Sequence, residues 1–144
     1  MTEQDNIALI RNFYAAYARG DIKTILDHVT AETEWTFEGP SNIPFTGTRK
    51  GTAQILGFFH GLDSSTTGVK LSPRYLIAQD DAVAMFGRFS GKSKTTGARF
   101  DVPISHYFRV RVGKVIEYIN LLDTAALSAA LGTFAPPEVG RPHK

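Results

Sequence analysis

The sequence predicts an α+β fold in which three N-terminal helices pack on a strongly curved antiparallel sheet and a short helix follows. Three observations carry this reading. Apolar residues recur at helical spacing through the first sixty or so positions. From Val69 onward, strand-like runs alternate with turn signals at Asp80-Asp81, Thr95-Thr96-Gly97 and Val112-Gly113-Lys114. The segment from Asp101 to Asp123, DVPISHYFRVRVGKVIEYINLLD, reads as two long strands joined by a tight turn. A sheet curled around the helices leaves a hollow at its open end, where a small ligand would bind.

The first helix runs from about Thr2 or Asp5 to Arg19, with Ile7, Ile10, Phe13, Tyr14 and Tyr17 on its buried stripe and Gly20 as its stop. Asp21 caps a second helix carrying Ile22, Ile25, Leu26 and Val29. Glu34–Glu38 is a strand, since Trp35, Thr36 and Phe37 favour extended backbone. Residues 39–50, broken by Pro40, Pro44 and Gly47, form a long loop. A third helix spans Gly51–Leu62 and buries Ile55, Phe58, Phe59 and Leu62. Strands follow over Val69–Ala78 and Ala82–Lys92, and then the long pair. Thr124–Leu131 is the last helix. Residues 1–132 form one domain, and 133–144, with three of the seven prolines, form a mobile tail.

In the long pair, Phe100, Val102, Ile104, His106, Phe108 and Val110 share one face, and Asp101, Pro103, Ser105, Tyr107, Arg109 and Arg111 share the other. Ile116, Tyr118 and Leu122 point one way; Val115, Ile119 and Leu121 point the other. Both faces thus hold apolar side chains. The helices cover one, and the outer face is expected to take a second copy of the chain, giving a homodimer.

Composition excludes several functions. Sixteen Lys and Arg against fourteen Asp and Glu leave a net charge of +2, without a basic run. Nucleic acid and anionic membranes, which need clustered positive charge, are therefore poor partners. Zero cysteines remove thiolate metal sites and thiol nucleophiles and fit a reducing compartment. No apolar run reaches membrane-spanning length, and MTEQDNIALIRN has acidic residues where a signal peptide would be basic, so a cytoplasmic location is expected. His28, His60, His106 and His143 do not pair at metal-ligand spacing; no metal or cofactor is assigned.

The opening FYAAYARGD, the segment EWTFEGPSNIPFTGTRKG followed by ILGFF, and the closing PISHYFRVRVGKVIEYINLLD together resemble SnoaL-like proteins. These belong to the cone-shaped superfamily of nuclear transport factor 2, ketosteroid isomerase and limonene epoxide hydrolase. The resemblance covers residues 5–132 and implies a cone fold with an apolar pocket. It leaves the activity open, because this fold hosts isomerases, cyclases, dehydratases, hydrolases and binders.

Position by position, the isomerase pattern places its carboxylate base on Glu38 and its two oxyanion donors on Phe13 and Ser105. The first lacks a donor, and the second offers only a neutral hydroxyl. Tyr17 and Tyr107 are the nearby substitutes. The hydrolase pattern falls on Arg88-Phe89-Ser90 and on Asn120, so its arginine is kept and both acids are lost. The implied catalytic set is Glu38, Asn120 and Tyr17. Phe13, Trp35, Phe59, Arg88, Ser105, Tyr107, Tyr118 and Leu122 would contact the ligand, a hydrophobic carbonyl-bearing or polycyclic molecule. The implied enzyme is a cofactor-free isomerase, cyclase or dehydratase; the alternative is a non-catalytic binding or protein-docking module.

Three more residues have competing readings. Asp123 is either an acid or base of cyclase chemistry or an N-cap of the last helix, and the cap is preferred. His106, between Ile104 and Phe108, is placed on the dimer face opposite Ser105. Asp101 pairs with Arg99 or Arg88.

Overall fold

The structure, a computed structural model, describes residues 1–133; the expected tail lies outside the described residues apart from Thr133. Helix α1 spans Glu3–Ala18, α2 Ile22–Leu26, α3 Gly51–Ser65 and α4 Thr124–Leu131. Strands are β1 Val29–Phe37, β2 Gly47–Lys50, β3 Thr66–Gln79, β4 Ala82–Ser93, β5 Arg99–Arg111 and β6 Lys114–Leu122. The expected elements are present, most within a few residues of their expected ends. The short strand β2 emerges inside the proline-marked loop.

Local chemistry explains the helix ends. Thr2 and Asp5 form a reciprocal capping box, with Asp5 N–H donating to Thr2 Oγ1 at 3.0 Å and Thr2 N–H to Asp5 Oδ2 at 2.8 Å. Asp21 accepts from Thr24 N–H at 3.1 Å and so starts α2. Asp123 does the same for Ala126 N–H at 3.1 Å. Its carboxylate therefore belongs to the cap of α4.

One curved sheet runs in the order β2-β1-β6-β5-β4-β3. It is not wholly antiparallel: β1 pairs with β6 in parallel. Hairpin-linked strands must run antiparallel, but β1 and β6 meet through a long connection that permits either direction. Bulges bend the sheet. Arg74 is the extra residue where β3 slips on β4 between Pro73 and Tyr75. Opposite it, a Cβ on Gly87 would run into the Ser72 carbonyl oxygen, so the close strand approach requires glycine there.

A second slip alters the expected faces of β6. Arg109 pairs with Glu117, yet Val110 pairs with Val115, so Ile116 is the inserted residue. Val115 therefore turns inward and is fully buried, together with Tyr118 and Asn120. At the same irregular end, Thr33 Oγ1 donates to the Val115 carbonyl at 2.6 Å and ties β1 to β6.

Strand β5 decides the layering. Phe100, Val102, Ile104, His106, Phe108 and Val110 are all buried, and the alternate residues are exposed or half-buried. Helix α1 packs over β3 and β4, and α3 over β1 and β2, closing the concave face. Phe13, Trp35, Phe37, Phe58, Phe59 and Phe108 form the aromatic core between the layers.

The β5–β6 turn holds a strained residue. Val112 has φ 49° and Gly113 φ 74°, the pattern of a type I′ hairpin turn. A β-branched residue is disfavoured in that region, and Val112 is exposed, so nothing packs in return. Val112→Asn is expected to raise stability by about 0.5–1 kcal/mol, read as an upward shift of the thermal midpoint of roughly 1–4 °C.

Candidate ligand-binding site

Between the helices and the concave face lies a hollow of about 60 Å³. Its helical side is Phe13, Tyr14 and Tyr17 from α1, Ile25 from α2, and Phe58, Phe59 and Leu62 from α3. The sheet contributes Trp35, Phe37, Leu71, Phe89, Ile104, His106, Phe108, Tyr118 and Asn120. The wall is overwhelmingly apolar. It is also small beside the roughly 300–1,000 Å³ of sites that enclose a drug-sized molecule.

A cleft of about 700 Å³ lies outside it, lined by residues that include His60, Asp63, Thr67, Gly68 and Lys94. Tyr17, Phe59, Leu62 and Leu71 border both spaces. The Tyr17 and Phe59 rings lie 6.1 Å apart on this shared border, tilted by 40°.

The floor of the hollow carries one polar cluster. His106 Nδ1 lies 2.9 Å from the Tyr14 hydroxyl. Its Nε2 lies 3.0 Å from the Tyr118 hydroxyl and 2.9 Å from Asn120 Nδ2. Asn120 Nδ2 also donates to the Tyr118 hydroxyl at 3.1 Å. Trp35 stacks on Tyr118 with ring centroids 3.9 Å apart. Two polar atoms of this wall, Trp35 Nε1 and Asn120 Oδ1, are buried and find no partner among the described residues.

Burial sets the protonation of the cluster. It pushes the His106 pKa down from 6.5 to about 3, keeping the imidazole neutral. Burial raises the Tyr118 phenol well above its usual value, an effect that the Asn120 hydrogen bond only partly offsets. Tyr14 is raised well above its usual value by burial and then by Tyr118. Tyr17 is pushed up to about 12 by burial, with the negative charge of Asp63 adding to it. Across physiological pH the cluster carries neutral hydrogen-bonding groups only.

The residues singled out in the sequence fall into two groups. Phe13, Tyr17, Trp35, Phe59, Tyr118 and Asn120 all line the hollow. Ser105, Tyr107, Arg88, Leu122 and Glu38 do not. Ser105 and Tyr107 lie on the outer face, because the β5 row that is apolar but for His106 turns toward the helices and carries its alternate residues outward. Arg88 is likewise outside, bound to Asp101 at 2.8 Å, and its neighbour Phe89 points in. Leu122, the last residue of β6, is half-buried, and Glu38 is exposed just past the end of β1.

His106 is corrected most. It is 4% exposed and sits at the centre of the floor, not on an outer face. Tyr14, read only as a core residue of the first helix, is its partner. The signal was present in the sequence, since His106 stands in register with Phe100, Val102, Ile104 and Phe108.

The chain matches the SnoaL-like domain over residues 10–118, and it belongs to that family. No curated protein matches it significantly. Among solved structures, TerC co-crystallised with polyporic acid is 28% identical, with a TM-score of 0.81, over 88% of this chain and 98% of that one. An NTF2-like protein from Burkholderia thailandensis E264 is 26% identical, with a TM-score of 0.82, over 91% and 98%. A protein from Catenulispora acidiphila DSM 44928 with a ketosteroid isomerase-like fold, in complex with trimethylamine, is 18% identical, with a TM-score of 0.75, over 89% and 97%. That last likeness shows the fold alone. No helix among the described residues is long and apolar enough to cross a membrane.

The buried imidazole gives a pH signature. In the unfolded chain His106 takes up a proton near pH 6.5, and in the folded chain not until about pH 3. Between those values the unfolded state binds more protons. The contribution is therefore complete above pH 6.5 and is lost as pH falls toward 3; it is on the order of 5 kcal/mol. Denaturant titrations from pH 7 to 3 should show this loss, and His106→Gln should flatten it.

Proposed function

We propose that the protein binds a small, mainly apolar molecule bearing one polar oxygen, which lies against the His106, Tyr118 and Asn120 floor. The observation that carries this reading is a pair of buried polar atoms without a partner among the described residues, Trp35 Nε1 and Asn120 Oδ1, in a wall that is otherwise mainly apolar. An unsatisfied buried polar group costs about 1–3 kcal/mol, and a bound polar atom would recover that. The hollow as it stands is small beside the roughly 300–1,000 Å³ of sites that enclose a drug-sized molecule. A polycyclic ligand would therefore have to part the Tyr17 and Phe59 rings on the shared border and extend into the outer cleft.

A second reading is catalytic: an isomerase, cyclase or dehydratase acting on a carbonyl compound. TerC, crystallised with polyporic acid, supports a small-molecule role for this branch of the fold. In this chain neutral donors could polarise a carbonyl. However, the described wall of the hollow contains no carboxylate to serve as a base, and an imidazole with a pKa of about 3 is a poor proton acceptor. Binding is therefore the preferred reading. Trp35, the only tryptophan, reports on it directly. Titration with cyclohexanone is expected to change Trp35 emission saturably. A flat titration up to the solubility of the probe would refute the binding reading.

We propose further that the outer sheet face takes a second copy of the chain. Cross-strand register aligns Tyr75, Phe86, Ser105 and Leu121 in one row. Beside it run Ile77, Ala84, Tyr107, Ile119 and Thr36. Tyr75, Ile77, Phe86 and Leu121 are between 47% and 60% exposed, so this band is apolar and uncovered. Arg88–Asp101 flanks it on one side and Arg109, with Asp81 and Glu117, on the other. Two apolar bands bordered by charges of both signs are self-complementary about a two-fold axis. Light scattering should give a dimer mass, and Phe86→Glu with Leu121→Glu should give a monomer that still binds cyclohexanone.

A further inference from the structure

The hydrogen-bond arithmetic of the floor selects the chemistry of the ligand oxygen. A neutral imidazole has one N–H and one lone pair. With Asn120 Nδ2 facing His106 Nε2, that nitrogen must be the acceptor and Nδ1 must carry the proton toward Tyr14. The amide and the Tyr118 hydroxyl, at 2.9 and 3.0 Å, then compete for a single lone pair. The Tyr118 oxygen already accepts from the second amide N–H at 3.1 Å, which leaves its own proton without a separate acceptor. The Tyr14 hydroxyl proton is unmatched too, because its oxygen accepts from Nδ1. Three groups are left over, the two phenol protons and Asn120 Oδ1.

A half-turn of the amide removes the conflict. The amide oxygen has two lone pairs and can accept both Nε2–H and the Tyr118 O–H. Nδ1 becomes an acceptor for the Tyr14 O–H. Every member of the cluster is matched except Asn120 Nδ2, which then occupies the buried position that has no partner among the described residues. Exchange of amide oxygen and nitrogen is the arrangement a hydrogen-bond network decides. Trp35 Nε1, an obligate donor with no partner among the described residues, belongs to the same wall.

We infer that Asn120 turns its amide nitrogen into the hollow and, with Trp35 Nε1, makes the site specific for a hydrogen-bond acceptor oxygen: a ketone, quinone or enol ether, and not a group that needs an acceptor from the protein. This rests on the binding reading above and names the ligand chemistry of the same site. Asn120 and Trp35 would be specificity-determining residues. His106 and Tyr118 would position the amide by holding its oxygen.

Two measurements on the unaltered protein test it. Long-range nitrogen–proton correlation spectra give the His106 tautomer without any ligand. The rotated amide requires Nε2–H, and finding Nδ1–H overturns the inference. Cyclohexanone, cyclohexanol and methylenecyclohexane share one shape and differ in the polar atom. The ketone is expected to bind about tenfold or more tightly than the hydrocarbon, to exceed the alcohol, and to shift the Trp35 indole proton. Asn120→Leu should bring ketone and hydrocarbon together. Equal binding of all three probes to the unaltered protein would overturn the acceptor specificity and leave the hollow as a binding site. Failure of all three to bind would overturn the binding reading itself, and the acceptor specificity with it.

Discussion

One imidazole in an apolar row is the constraint around which the interior is arranged. The inward residues of β5 must be apolar for the sheet to pack on its helices, yet His106 stands among them. A buried ring nitrogen left without a partner costs about 1–3 kcal/mol. Tyr14 from α1 meets one nitrogen; Tyr118 and Asn120 from β6 meet the other. The cluster thus joins the helical layer to two adjacent strands and fixes how they sit on each other. The same cluster gives an oily hollow its single polar end.

The rest of the interior follows from aromatic packing and from irregular strand pairing. Trp35 lies flat on Tyr118, and Phe58 and Phe59 close over Trp35 from α3. The slip at Ile116 is what lets Val115 and Tyr118 both point inward. The slip at Arg74 bends β3 beneath α1. Without such bulges the sheet would be flatter and the helices would press on it with no room between.

Much of this was readable in the sequence, for physical reasons. Helix caps and turns are local, so Asp21, Asp123, Asp80-Asp81 and Val112-Gly113 marked element boundaries well. Strand β2 was hidden because it has four residues, lies among prolines and pairs only with β1. The parallel neighbourhood of β1 and β6 depends on contacts far apart in the chain, which periodicity does not report. Six residues of the hollow's wall were identified, but Ser105 and Tyr107 were read as inward and His106 as outward. The all-apolar company of His106 should have settled that face, because a buried face outranks an aligned hydroxyl. The bulge at Ile116 could not be read from alternation at all, since it appears only as an apparent break in the period.

On the binding reading proposed above, the Tyr17 and Phe59 rings separate admission from recognition. Tyr17 stands in the last turn of α1 and Phe59 in the middle of α3, while the polar atoms of the floor belong to the sheet beneath them. Substitutions at these two helical positions would therefore change which molecules get in and how fast they leave, with the polar floor untouched. One scaffold could in this way come to serve many compounds: its threshold is free to drift while its foundation stays still.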